Sequence, residues 1–151
     1  EVVQFLIENG ADINTKDKKG NTLSYPILNN YKTQNTKLFE AKLALLQKHG
    51  LVLNEIQNAG NTLLHIATEN NNIPLLKRLS SFNIDLNIKN DAGLSALQIA
   101  VMKAKNDKII KYLLSIGADK NVKTNFNETV FDLASENELL QKSNTNISFL
   151  K

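Results

Sequence analysis

The chain has no cysteine and no tryptophan, and only two histidines and two prolines among its 151 residues. Without cysteine there is no disulfide framework, no thiol nucleophile and no thiolate zinc site. Two histidines, His49 and His65, are too few for a multi-histidine metal centre. No apolar run approaches the roughly 20 residues of a membrane-spanning helix. Charge is close to balance. Lys plus Arg total 18 and Asp plus Glu 15, a net +3, too small an excess to mark a polybasic membrane or nucleic-acid binder. Phosphate-cradling glycine loops, an H-E-x-x-H helix and a G-x-S-x-G elbow are all missing. No cofactor and no metal are therefore expected, and no acid, base and nucleophile converge to suggest an enzyme.

What the chain has in excess is asparagine, at 22 residues, as an A·T-rich coding genome would produce. Two N-x-[ST] matches, at Asn127 and Asn146, are about as many as chance supplies and carry no argument for glycosylation. The sequence opens at Glu1 without a methionine, and Val2, Val3, Phe5, Leu6 and Ile7 already follow helical spacing. The expectation is a piece of a longer protein, whose targeting segments would lie elsewhere.

An internal repeat is the main signal. Asn14, Asn54, Asn87 and Asn121 recur at spacings of 40, 33 and 34 residues. Each lies six residues before Gly20, Gly60, Gly93 or, where Asn replaces Gly, Asn127. Two residues later comes a hydroxyl, Thr22, Thr62, Ser95 or Thr129, placed to cap a helix N-terminus. A short apolar helix pattern follows, such as Leu63-Leu64-His65-Ile66-Ala67, and then a polar break. A second helix comes next, with Ile73, Leu75, Leu76 and Leu79 in one unit and Ile109, Ile110, Leu113 and Leu114 in the next. These spacings give one buried stripe per helix. Gly10, Gly50, Asn83 and Gly117 stand where left-handed C-caps belong. The Asp-, Asn- and Gly-rich connector after each reads as a hairpin-like finger.

Gly60-Asn61-Thr62-Leu63-Leu64-His65-Ile66-Ala67 and Gly10-Ala11-Asp12-Ile13-Asn14, with Gly117-Ala118-Asp119-Lys120-Asn121, resemble the two signature segments of the ankyrin repeat. The likeness covers nearly the whole chain. It implies an all-α repeat solenoid of stacked helix-turn-helix units joined by finger loops. The expected division is a partial repeat at 1–16, repeats at about 17–56, 57–89 and 90–123, and a divergent C-terminal repeat or cap at 124–151. The family's helix-starting proline is missing: Leu23, Leu63, Ala96 and Val130 hold its place. About seven extra polar residues between Asn29 and Leu38 read as a longer link or a helix extension. The tail from Leu139 is irregular. The resemblance gives His65 a structural role, hydrogen-bonding across neighbouring turns, and makes Asp12, Asp85 and Asp119 turn residues.

The resemblance also implies a protein–protein interaction module that holds another protein on the concave face, where fingers and first helices meet. Candidate contacts on the fingers are Lys16, Lys18 and Lys19, then Ile56 and Asn58, then Lys89 and Asp91, then Lys123, Asn125 and Phe126. Just past each turn stand Asn21, Asn61, Leu94 and Glu128. At the first-helix ends lie Asn29 and Asn30, Glu69 and Asn70, Met102 and Lys103, Glu136 and Asn137. Ile56, Leu94, Met102 and Phe126 are apolar where the scaffold has no need to bury them. Rimmed by finger lysines, they are the expected energetic centre; the alternative is that they pack between neighbouring fingers, or meet the extra loop or the C-terminal tail. No nucleic acid and no membrane is expected as a partner, and the array is expected to be monomeric and intracellular, in a host cytoplasm if it belongs to an exported effector. A second reading makes the chain a targeting or regulatory arm of a larger enzyme or effector.

Overall fold

The computed structural model describes residues 2–29, 31, 33–82 and 84–151. Among these there are α-helices and short 3-10 turns and no strand. In chain order the helices are α1 (Val2–Glu8), α2 (Ser24–Asn29), α3 (Thr36–Lys48), α4 (Leu63–Glu69), α5 (Ile73–Leu79), α6 (Ala96–Lys103), α7 (Lys108–Ser115), α8 (Val130–Glu136) and α9 (Glu138–Lys142). The first helices stack in series, α2 on α4, α4 on α6 and α6 on α8, and each also packs on the helix that follows it. This nearest-neighbour packing is that of a helical repeat solenoid. The expected stripes are inside: Leu75, Leu76 and Leu79 are buried, as are Ile109, Ile110 and Leu113. Burial of each such side chain contributes about 1.5–3 kcal/mol.

Three of the four expected hydroxyl caps form capping boxes. Thr62, Ser95 and Thr129 each receive the backbone N–H of the third helical residue, whose own side chain, His65, Gln98 or Asp132, reaches back to the cap. Thr22 departs from this. Tyr25 holds the third position and cannot reciprocate, and the helix begins only at Ser24. The Thr22 hydroxyl turns instead to Glu55 of the next finger, together with Ser24, and its N–H donates to Gln57 Oε1 at 2.8 Å.

The expected C-caps at Gly50 and Gly117 close their helices with paired bonds. Gly50 N–H reaches Gln47 O and Leu51 N–H reaches Leu46 O, and the same pattern joins Gly117 to Leu114 and Ala118 to Leu113. Their φ values of 96° and 102° lie in the left-handed region that favours glycine. Gly10 closes α1 in the same way. Asn83, the fourth expected cap, lies outside the described residues, as do Glu1, Asn30 and Lys32.

The extra residues of the first full unit are used in two ways. A 3-10 turn at Thr33–Asn35 leads straight into α3, which has 13 residues against 7 in α5 and 8 in α7. Tyr31 is buried with its ring 4.3 Å from that of Phe39, and its carbonyl accepts a bond from Asn72 Nδ2 at 3.1 Å. The insertion is thus packed onto the next repeat.

The tail is more ordered than its sequence suggests. Asn137 caps α9 through bonds to Leu139 and Leu140 N–H, and Leu140 and Leu150 are buried. Asn137 is therefore no surface contact. It is 6% exposed, and its amide donates to Val101 O and Ala104 O at 2.8 and 2.9 Å, tying the last helix pair to the end of α6.

Candidate partner-binding surface

Each finger closes by the same backbone bond. The N–H of Asp17, Gln57, Asn90 or Thr124 reaches the carbonyl four residues on, at 2.8 to 3.0 Å. A left-handed residue sits at the turn, and Asn127 with φ 66° holds the place that Gly20, Gly60 and Gly93 hold elsewhere. Asp12, Asp85 and Asp119 each accept the N–H two residues on, so they are turn residues as expected.

Neighbouring fingers interlock. A Cβ placed on Gly60 would lie 2.3 Å from Asp91 Oδ1 and 2.6 Å from Asp91 N, and one on Gly93 would lie 2.6 Å from Asn125 Nδ2. Asp91 and Asn125, two of the expected contact residues, therefore also lock finger to finger. Lys16 Nζ bonds Ile56 O and Lys89 Nζ bonds Lys123 O, both at 2.8 Å. Ile56 occupies the register position of those lysines and cannot donate to Lys89, which leaves its side chain half exposed.

Between the first two fingers and helices α2 and α4 runs an open groove of about 690 Å³. Its floor is Tyr25, Pro26 and Ile66. Asp17, Lys18, Lys19 and Asn21 form one wall, and Asn58 and Asn61 the other. Glu69 and Asn70 stand at its helical end. Lys18, Lys19 and Asn58, three of the expected contact residues, thus line one groove. The three floor residues were missed by sequence reasoning; the register that aligns Tyr25 with His65, and Pro26 with Ile66, was the signal available.

The groove's electrostatics are lopsided. The Asn21 backbone N–H donates to Asp17, with further bonds from Lys19 N–H and the Asn21 amide, which together hold the Asp17 carboxyl below its ordinary pKa. Glu69 is paired with Lys103 at 2.7 Å, across the ends of α4 and α6. Glu69 is thus offset by Lys103, while Asp17 keeps its charge and acts on neighbouring Lys19 as well as on its own turn. Lys18 and Lys19 have no carboxylate within ion-pairing distance among the described residues. Lys103 also lines a second hollow, of about 230 Å³, beside Thr68 and Ala100.

None of the four apolar candidates borders the first groove. Phe126 is 87% exposed on the fourth finger and Met102 43% exposed on α6. Leu94 is half buried, and its carbonyl is held by His65.

His65 has the expected structural role. Its Nδ1 accepts from Thr62 N–H at 3.0 Å, and its Nε2 donates to Leu94 O at 3.0 Å. Burial pushes its pKa below the ordinary value, against the opposing pull of the Leu94 carbonyl and Glu69.

Among the described residues no three His, Cys, Asp or Glu side chains cluster to hold a metal ion, and no helix is long and apolar enough to cross a membrane. A family model described as ankyrin repeats, three copies, matches residues 30–124. A fowlpox virus protein named for its ankyrin repeats is 32% identical over 129 residues, which are 85% of this chain and 36% of that protein. A Rickettsia felis protein so named is 34% identical over 124 residues, 80% of this chain and 38% of that one. An alpha-latrotoxin of Latrodectus geometricus is 32% identical over 113 residues, 75% of this chain and 8% of the toxin. The chain thus spans little more than a third of the first two relatives.

Proposed function

Because the chain belongs to the ankyrin-repeat family, we propose that it is a non-catalytic module that binds a partner protein on the concave face of the array. Ankyrin repeats are in general protein-interaction modules. The observation that carries the reading here is the open groove between the first two fingers and the helices behind them, with Lys18 and Lys19 on its wall. Exposed Met102 and Phe126 extend the contact surface toward the last repeats. The partial coverage of the longer relatives favours a second, compatible reading, a targeting or regulatory arm whose parent's activity lies elsewhere.

The test is affinity capture on the purified chain from nuclease-treated lysate at two salt concentrations. Two variants whose folding is checked by circular dichroism serve as comparison, K18E/K19E and M102D/F126D. The expected result is a salt-tolerant protein retained by the wild type and lost by at least one variant. Equal retention by both, or recovery of nucleic acid alone, overturns the reading.

A further inference from the structure

We infer that the groove between the first and second fingers takes an extended acidic peptide segment of the partner. The inference rests on the interaction-module reading above and goes further, to the chemistry of what is bound.

The groove carries a small excess of positive charge and several amide groups able to bind a peptide. Lys18 and Lys19 bring two charged ammonium groups to its wall. Among the described residues the Asn58 side chain makes no bond, so it offers both a donor and an acceptor, and the Asn61 side chain bonds only through its oxygen, accepted from Asn90 Nδ2 at 2.9 Å, which leaves its amide nitrogen to donate. Glu69 is offset by Lys103, and the Asp17 carboxylate, hydrogen-bonded within its own turn, offsets part of the charge of Lys19 but not that of Lys18. A ligand that satisfies such a surface must bring acceptors and negative charge. An extended peptide supplies carbonyl oxygens along its backbone, and Asp or Glu side chains supply carboxylates for the two lysines. The volume of about 690 Å³ falls in the ordinary range for ligand sites, roughly 300–1,000 Å³. The floor of Tyr25, Pro26 and Ile66 offers apolar contact between the polar walls.

A nucleic acid is the other polyanion to weigh. It needs a basic track along many phosphates and several aromatic faces for its bases. Here there are two lysines and one aromatic ring, which favours the peptide.

The experiment is fluorescence anisotropy with a labelled twelve-residue peptide alternating Glu and Gly, its Gln/Gly and Lys/Gly counterparts, and a thymidine dodecamer. The expected result is saturable binding of the Glu/Gly peptide at least tenfold tighter than either counterpart or the oligonucleotide. K18E/K19E should weaken it at least tenfold. K37E/K48E changes net charge equally but lies on α3 and should weaken it less than twofold. Equal loss in both variants, equal binding of the oligonucleotide, or no preference for Glu over Gln overturns the inference. A partner captured from lysate that binds K18E/K19E normally, yet is lost on M102D/F126D, also overturns it while leaving the module reading standing.

Discussion

His65 on α4 holds the carbonyl of Leu94, 29 residues away on the third finger, with its Nε2 at 3.0 Å. The same ring closes the capping box with Thr62. One buried side chain thus starts a helix and ties the following finger to it. His65→Ala removes an acceptor from Thr62 N–H and a donor from Leu94 O, both inside the protein. At about 1–3 kcal/mol for each buried group left unpaired, the loss should be about 3 kcal/mol, read from the urea midpoint at unchanged slope.

The same histidine makes stability depend on pH. Burial holds its folded pKa below the ordinary value, so the unfolded chain binds the proton more readily. The neutral ring's contribution is complete above about pH 6.5, the ordinary value for histidine, and is lost as pH falls through the lowered folded value. His65→Gln keeps a capping box, as Gln98 does at the equivalent position, but cannot titrate. Unfolding at pH 7.5 and 5.5 should show the wild type losing more stability than H65Q between the two. Equal losses would mean that His65 is not the group responsible.

Gln98 shows what an amide in place of the imidazole ring gives up. Its Oε1 accepts from Ser95 N–H at 2.9 Å, yet its Nε2 is buried without a partner. In register it should hold the fourth finger at Glu128, as His65 holds the third at Leu94. Gln98→His should supply that bond and raise stability by about 1 kcal/mol, seen as a higher Tm. A lower Tm would show that the pocket has no room for the ring.

Two glycines separate backbone crowding from side-chain crowding. Both have positive φ, 70° at Gly60 and 74° at Gly93. A methyl at Gly60 meets the Asp91 backbone nitrogen as well as its carboxylate, whereas the three atoms nearest a methyl at Gly93 all belong to the Asn125 side chain, which can move aside. Strain of about 1–3 kcal/mol is common to both, and overpacking adds about 1–3 kcal/mol where nothing can yield. Gly60→Ala should therefore cost clearly more than Gly93→Ala in equilibrium unfolding.

The repeat was legible because its physics is local. Glycines or Asn in left-handed turns, hydroxyls before helices and leucines at helical spacing each declare themselves within a few residues. What the sequence hid depends on partners in other repeats. Thr22 looked like its three counterparts until Glu55 and Gln57 proved to be its partners. Asp91 and Asn125 looked free until the glycines of the preceding fingers were seen beneath them. The groove was half visible: its lysines and asparagines follow from register, but that Glu69 pairs with Lys103 and not with them is a matter of geometry.

Asn137 belongs with the hidden residues and gives the sharpest structural test. It stood where a first-helix end should meet a partner, yet its amide caps the C-terminal carbonyls of α6 while its oxygen caps α9. Asn137→Ala leaves Val101 and Ala104 carbonyls without that donor and removes an N-cap worth about 0.5–2 kcal/mol. The total loss should be about 3 kcal/mol. Asn137→Asp keeps the cap on α9 but turns a carboxylate oxygen toward two carbonyl oxygens. It should cost more than alanine at pH 7, because an unpaired buried charge is worse than an absent group. As pH falls toward 4 and the carboxyl takes up a proton, it can donate again, and the gap between the two variants should close. Unfolding of both at pH 7 and pH 4 measures this directly, and an aspartate variant no worse than alanine at pH 7 would mean that water reaches the clamp.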